Sequence, residues 1–278
     1  MVDINHKTKI CMAAWASGSG KTMLSCGLIR ALQRRGMTVQ SFKAGPDYID
    51  PLFHDALRDE GDERHCENLD TFFLDHEGVR RVFHRVSEGA DISVIEGVMG
   101  LYDGLGGVER EGSTYDLAEA LHSPVILIVD ASKASKTLAA LISGMLLYDK
   151  AGLIKGVILN KCSRVMYDRL KPVIEGRVAA AGLREEEGAA DPGSSSGSNS
   201  GSNSGSTPGS VSDRSMYGKG IKVYGYVPKM TDIAVESRYL GLNLPGEVVD
   251  IKQKIDSIAE QIEESVDIDG IIEDCSSI

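Results

Sequence analysis

At 278 residues, 42% of them apolar, the chain is long enough for one α/β domain of ordinary size with a sizeable core. Its net charge of −11 argues against nucleic acid as the main partner, since such binders carry a basic footprint, and no apolar run approaches the ~20 residues of a membrane span. Five scattered cysteines without a C-x-x-C pair, and no signal peptide, point to free thiols in a reducing cytoplasm.

The polar residues before Lys9 read as a frayed end. Ile10–Ala14 is a short apolar strand that runs into Ser17-Gly18-Ser19-Gly20-Lys21-Thr22 and then a helix to about Arg35. Such a loop suits a polyphosphate. Its glycines let backbone N–H groups converge, the helix N-terminus favours an anion, Lys21 reaches the outer phosphates and Thr22 can hold magnesium. The strict form of the pattern has glycine six residues before the lysine, where this chain has Trp15, which is expected to crowd the start of the loop. Gly36 ends the helix, and Thr38–Lys43 reads as a second strand. Ala44–Pro51, AGPDYIDP, is too rich in Gly, Pro and Asp to be an element and too apolar to be a plain linker. Asp47 and Asp50 there are either functional carboxylates or helix caps, Asp50 before Pro51 fitting an N-cap. Leu52–Arg58 is a short helix, Leu69–Leu74 (LDTFFL) is apolar enough to pack, and Val79–Ser87 carries a helical apolar face.

Ile92–Ile95 is another strand, ending in Glu96. A carboxylate there needs a partner, either a magnesium ion on a nucleotide or a structural ion pair. Gly97–Gly112 holds six glycines, more backbone freedom than a connection needs, and its Asp103 is either functional or a solvated turn residue. Thr114–Leu121 is helical. Pro124–Val129 is the most strongly buried strand, reaching Asp130; Thr137–Leu147 is helical, Gly156–Leu159 is a strand reaching Asn160, and Tyr167–Ala181 is a helix weakened at Pro172. The carboxamide of Asn160 can pair with a purine edge, and with Ser163 where a guanine site wants Asp, adenine is the better fit. Residues 185–217 form a Gly/Ser/Asn tract that reads as a disordered surface insertion. Lys222–Pro228 is a strand, Glu247–Glu264 an amphipathic helix, and Ile268–Ile272 a short closing segment. The histidines show no metal spacing, and His54, His65, His76 and His84 read as surface residues. Cys26 reads as a buried structural thiol, and no nucleophile elbow is present.

Short apolar runs alternating with helices indicate an α/β domain with a mostly parallel sheet covered by helices on both faces. Ligands of such sheets bind beyond the carboxyl ends of the strands. That end collects the phosphate loop, Asp47, Asp50, Glu96 with its glycine-rich loop, and Asn160.

Taken together, SGSGKT, FKAGPDYIDP, NLDTFFL, VIEGVMGLYDG, PVILIVD, GVILNK, YGYVPKM and ESRYLGL make the chain, from about Lys9 to Ile272, resemble a known family. It is similar to the N-terminal ATP-binding synthetase domain of the cobyrinic acid a,c-diamide synthases, P-loop amidoligases related to dethiobiotin synthetase. The resemblance implies a P-loop NTPase-like fold, a single synthetase domain over 8–278 and a cytoplasmic location. It implies the cofactors ATP and Mg2+ and a cobalamin-biosynthetic ligase that amidates the a and c acetates of a corrin-like macrocycle through an acyl phosphate. Ni-sirohydrochlorin and hydrogenobyrinic acid synthases share these motifs. A dethiobiotin-synthetase-like ligase and a nucleotide-binding remnant without catalysis are the further alternatives. Carried onto this chain, Ser17, Gly18, Ser19, Gly20, Lys21 and Thr22 hold the phosphates, with Lys21 on the transferring group. Thr22, Asp50 and Glu96 form the magnesium set. Asp47, Tyr48 and Asp103 face the substrate, and Asn160 meets adenine. Chromosome-partitioning ATPases share the fold but carry an extra lysine early in the loop, where Trp15 and Ala16 stand here, and lack GPDYIDP. Full-length family members continue into a glutaminase domain where this chain ends. Glutaminase activity is therefore not expected in this chain, and ammonia is expected free, from a separate glutaminase subunit or from that missing domain. The likeness is compatible with a homodimer.

Overall fold

A computed structural model describes residues 8–59, 61–181, 221–230 and 250–276; the expected insertion at 185–217 and the ESRYLGL stretch at 236–242 lie outside the described residues. The strands are β1 (Thr8–Ala14), β2 (Val39–Ala44), β3 (Glu67–Leu69), β4 (Ile92–Glu96), β5 (Val125–Asp130), β6 (Ile154–Asn160) and β7 (Lys222–Val227). They pair in parallel in one sheet, in the order β3-β2-β4-β1-β5-β6-β7. The chain first builds outward from β1 towards β3, returns to insert β4 beside β1, then builds the other half. The order therefore reverses at β1, the kind of switch point where such sheets open a crevice.

Both faces are covered, which explains why β5, VILIVD, is buried at every position rather than alternating. Along β1 the side chains divide by the period of two. Ile10, Met12 and Ala14 enter one apolar cluster with α1 (Lys21–Arg34), α7 (Ile251–Ser265) and α8 (Ile268–Ser276), while Cys11 and Ala13 enter the other. That second cluster lies under α3 (His76–Val86), α4 (Thr114–Ala120), α5 (Thr137–Tyr148) and α6 (Arg164–Ala181), and Trp15 continues the alternation into it. α2 (Asp50–Asp55) sends Phe53 into the α1 side.

Helix starts differ in a way that matters for the site. α3 is capped by Asp75, which accepts from the Gly78 N–H at 2.7 Å, and α4 by Ser113, which accepts from the Asp116 N–H at 3.0 Å. α1 begins at Gly20 in the left-handed region (φ 93°) with no side-chain cap. A long helix that starts without a cap keeps the positive end of its dipole for an outside anion.

Most expected elements form with their ends moved by a few residues. Three readings change. β3 is a three-residue edge strand, too short to announce itself by periodicity. The segment after it does not pack as its composition promised: Leu69 is buried, but Phe72 and Phe73 are exposed. His54, expected at the surface, is buried on α2. Among the described residues the five cysteines are free thiols, Cys26 buried as expected, and no helix is long and apolar enough to cross a membrane.

Candidate active site

A cavity of about 760 Å³ opens at the carboxyl ends of β1, β2, β4, β6 and β7. Its lining includes Ser17, Gly18, Gly20, Lys21 and Thr22 from the phosphate loop, Lys43 from β2, Asp47 and Asp50 from the residues that follow it, and Glu96, Val98 and Met99 from β4 and its loop. Asn160, Lys161 and the Val227–Met230 segment close the far side. The phosphate loop bends through left-handed glycines, Gly18 at φ 73° and Gly20 at φ 93°. Ser19 is buried and does not line the cavity; its hydroxyl donates to the Ala16 carbonyl at 2.8 Å and so shapes the bend. Trp15 does not crowd the loop as expected. Its side chain packs into the cluster on the far face of the sheet and is absent from the cavity wall.

Lys21 is buried, and its Nζ donates to the Met99 carbonyl at 2.5 Å. Burial, with the ammonium of Lys43 beside it, pushes Lys21 down to about 8, against the pull of Glu96, Asp50 and Asp103. Asn160 and Lys161 brace the loop from the other half of the sheet. Asn160 Nδ2 donates to the Ser19 carbonyl at 2.8 Å and its Oδ1 accepts from the Lys161 N–H at 2.9 Å. A carboxamide nitrogen carries two hydrogens, and the bond to Ser19 uses one of them. Lys161 Nζ lies 2.7 Å from Asp130 Oδ2 and 3.4 Å from the Gly18 carbonyl.

The acidic end is built by strand register. Lys43 of β2 and Glu96 of β4 are direct partners, and Met12 of β1 continues the row, so both side chains face α1 and α2. Glu96 is fully enclosed. Its Oε1 accepts from Thr22 Oγ1 at 2.6 Å and from Lys43 Nζ at 3.1 Å, and its Oε2 lies 2.7 Å from His54 Nε2. Lys43 Nζ also reaches Asp50 Oδ2 at 2.8 Å and donates to the Gly97 carbonyl at 3.0 Å. Burial would raise Glu96, but Lys43, His54 and Thr22 outweigh it and hold the carboxyl well below its ordinary range. Burial would likewise discharge Lys43, yet Glu96 and Asp50 keep it protonated. For His54, Cys66 and Glu96 overcome burial and push the ring up to about 10. Cys66 Sγ sits 3.5 Å from His54 Nδ1.

This arrangement revises the expected roles. The structural ion pair anticipated as the alternative for Glu96 is present, with Lys43 between Glu96 and Asp50. Asp50 is not the helix cap: it occupies the first helical position of α2, whose N-cap is Ile49 without a side-chain cap, and Asp47 stands in the turn before it, its Oδ1 accepting from the Ile49 and Asp50 N–H groups at 2.8 and 3.1 Å. Thr22, Asp50 and Glu96 do converge on one wall, and their hard oxygen donors beside an uncapped helix start suit a magnesium-bound polyphosphate. Tyr48 and Asp103 are exposed outside the lining, Asp103 Oδ2 accepting from the Gly100 N–H at 3.0 Å. Gly100 is required there, because a Cβ would press on Asp103 and on the Trp15 carbonyl. Sequence reading missed His54, and it brings Lys43 and Lys161 to the strand ends without the ion pairs they form there. The first had a signal: His54 stands four residues after Asp50 on a short helix, so the two share a face.

A family model described as the CobQ/CobB/MinD/ParA nucleotide binding domain matches residues 10–184. A cobyrinate a,c-diamide synthase of Picrophilus torridus is 38% identical over 95% of this chain and 49% of its own length. One of Clostridium tetani is 33% identical over 94% of this chain and 48% of its own length. The chain thus spans about half the length of the curated relatives it matches. Among solved structures, the septum site-determining protein MinD of Pyrococcus horikoshii, complexed with Mg-ADP, is similar with a TM-score of 0.44 and 13% identity, covering 97% of this chain and 94% of that one.

Proposed function

The chain belongs to the CobQ/CobB/MinD/ParA nucleotide binding domain family, and we propose that it carries out ATP-dependent amidation of the a and c acetate carboxylates of cobyrinic acid or a related corrin or sirohydrochlorin macrocycle. The observation that carries this reading is the single cavity joining an uncapped phosphate loop to the segment of Asp47 and Asp50. The names of the curated relatives support the substrate class.

In this reading the loop amides and Lys21 hold the phosphates of ATP, and Lys21 moves from the Met99 carbonyl to the γ-phosphoryl. A carboxylate oxygen of the macrocycle attacks the γ-phosphorus, ADP leaves, and an acyl phosphate forms. Ammonia then attacks the acyl carbon, phosphate leaves, and the amide remains after loss of a proton. Both steps need charge balance and alignment rather than a protein nucleophile. Thr22, Asp50 and Glu96 would hold magnesium, which when bound supplies further neutralisation of the phosphate oxygens. Lys43 and His54 keep Glu96 ionised and fixed, so its geometry survives nucleotide exchange. Asp47 stands where the incoming carboxylate and ammonia meet, Tyr48 and Asp103 guard the mouth, and Asn160 braces the loop while offering one N–H to adenine.

The test is a reaction of purified protein with Mg-ATP, ammonium and cobyrinic acid, followed by mass spectrometry for stepwise conversion of carboxyl to amide. ATP binding without phosphate release or any mass change would overturn the proposal. Lys21→Ala should lower turnover by roughly 10²-fold or more, as loss of a preorganised charge at the reacting centre does.

A further inference from the structure

The Leu69–Leu74 segment has the composition of a core element, yet Phe73 is 71% exposed. Phe72 beside it is also exposed, the two rings lying edge to face with centroids 4.9 Å apart. Tyr48, Met99, Leu105 and Val108 share this state, Val108 at 85%, and all six lie on the loops that follow β2, β3 and β4. Single exposed apolar residues are ordinary, but several gathered at one end of a sheet mark a surface that receives something.

The three loops are tied into one surface and that surface continues into the cavity. Asn68 Nδ2 donates to the Asp47 carbonyl at 2.8 Å, joining the β3 end to the segment after β2. The β3 and β4 loops meet at Gly112, where an added Cβ would lie 3.7 Å from Leu105 and 3.9 Å from Phe72. Met99 and Asp47 line the cavity itself. Volume then decides what lies on this surface. At about 760 Å³ the cavity is the size of one cofactor site. ATP fills such a space, so the body of a second, larger substrate must remain outside while one of its carboxylate arms enters. A second protein chain pressed on the same surface would cover the mouth at Met99 and block that arm.

We propose that the loops after β2, β3 and β4 form an apolar platform, with Phe72, Phe73, Leu105 and Val108 as its floor, on which the conjugated ring of the macrocycle lies while a carboxylate arm passes Tyr48 and Met99 into the cavity. This rests on the macrocycle reading given above. The ring face meets aromatic and aliphatic side chains, the contact such a surface favours, and its polar arms project from the edge. Position on the platform would also select which acetate reaches the phosphate.

The experiment is a spectroscopic titration of the protein with cobyrinic acid, comparing the unaltered chain with Phe73→Ala and Val108→Ser, alongside titration with a non-hydrolysable ATP analogue. Both side chains are exposed, so the variants retain the fold, checked by their melting curves. Each variant should bind cobyrinic acid roughly 5–10-fold more weakly, the scale of one lost aromatic or apolar contact, with analogue affinity unchanged. Unchanged macrocycle affinity in both variants would overturn the platform and leave the macrocycle reading standing. No macrocycle binding by the unaltered chain would overturn both. If sedimentation shows a dimer that Phe73→Ala dissociates while macrocycle affinity holds, the surface is a self-association face and the proposal fails.

Discussion

Glu96 illustrates how a buried carboxylate can be held ionised by its neighbours. An isolated carboxylate in that position would be neutral, because burial raises its pKa, yet Lys43, His54 and Thr22 reverse the balance. Since its folded value lies below the ordinary 4.5, its contribution to stability is present above 4.5 and is lost as pH falls through the depressed value. Lys43→Met removes the ammonium that neutralises Glu96 and Asp50. Unfolding in urea should show a loss of about 3–5 kcal/mol at neutral pH, the cost of breaking a buried pair on one side. The deficit should shrink as acid protonates Glu96. Lys21 gives a second pH signal with the opposite sense. Its folded value near 8 lies below the ordinary 10.5, so the free protein sheds this proton as pH rises through 8. Bound phosphate favours the ammonium and raises that value again. Nucleotide binding should therefore take up a proton above pH 8, seen as a dependence of calorimetric heat on buffer ionisation, and affinity should fall between pH 8 and 10. Lys21→Met should remove both effects.

At the scale of elements, α1 is the hinge between sheet and site, since it carries the phosphate loop at one end and packs on α7 along its length. Gly27 permits that approach. A Cβ there would run into Ile258 and Ile262, and the β-branched Ile258 has little rotamer freedom to give way. Two effects compete in Gly27→Ala: helix propensity gains up to ~1 kcal/mol, while overpacking loses about 1–3 kcal/mol. The second should win, so the variant should unfold at lower denaturant, whereas alanine at Gly36, where φ is 80°, would suffer through backbone strain instead. Here the limits of sequence reading become physical. The long strands and α1 were legible because apolar runs and glycine spacing are local signals. β3 was not, because three residues carry no period. The pairing of Lys43 with Glu96 depends on β2 and β4 being neighbours, a fact set by the reversal of strand order and absent from either segment alone. Trp15 reads as obstructive from the motif alone, but the alternation of β1 turns it into the core on the opposite face. The Phe72–Phe73 segment is illegible for the converse reason, since composition does not distinguish a side chain that packs inside its own chain from one left exposed.

The whole molecule couples its two halves through the phosphate loop. β1 and α1 supply the loop itself, β6 and the residue after it brace it through Asn160 and Lys161, and β4 with its following loop grips it through Glu96 on Thr22 and the Met99 carbonyl on Lys21. A ligand seated there touches residues from both sides of β1, so its binding free energy acts on the fold as a unit rather than on one loop. For a ligand that binds only the native chain, a concentration one hundred times its dissociation constant adds about 2.7 kcal/mol. In a chain of this size each kcal/mol moves the melting midpoint by about 2–4 °C, which sets an expected rise of about 5–10 °C with Mg-ATP. Lys21→Ala should abolish the rise while leaving the unliganded midpoint close to that of the unaltered protein, because it removes a buried charge together with its hydrogen bond. Asn160→Ala should behave differently: without the brace on Ser19 the loop loses its preset shape, so the rise should shrink and the unliganded midpoint should also drop. Differential scanning fluorimetry of the three chains with and without Mg-ATP separates these outcomes. Equal rises in all three would place the nucleotide away from the loop.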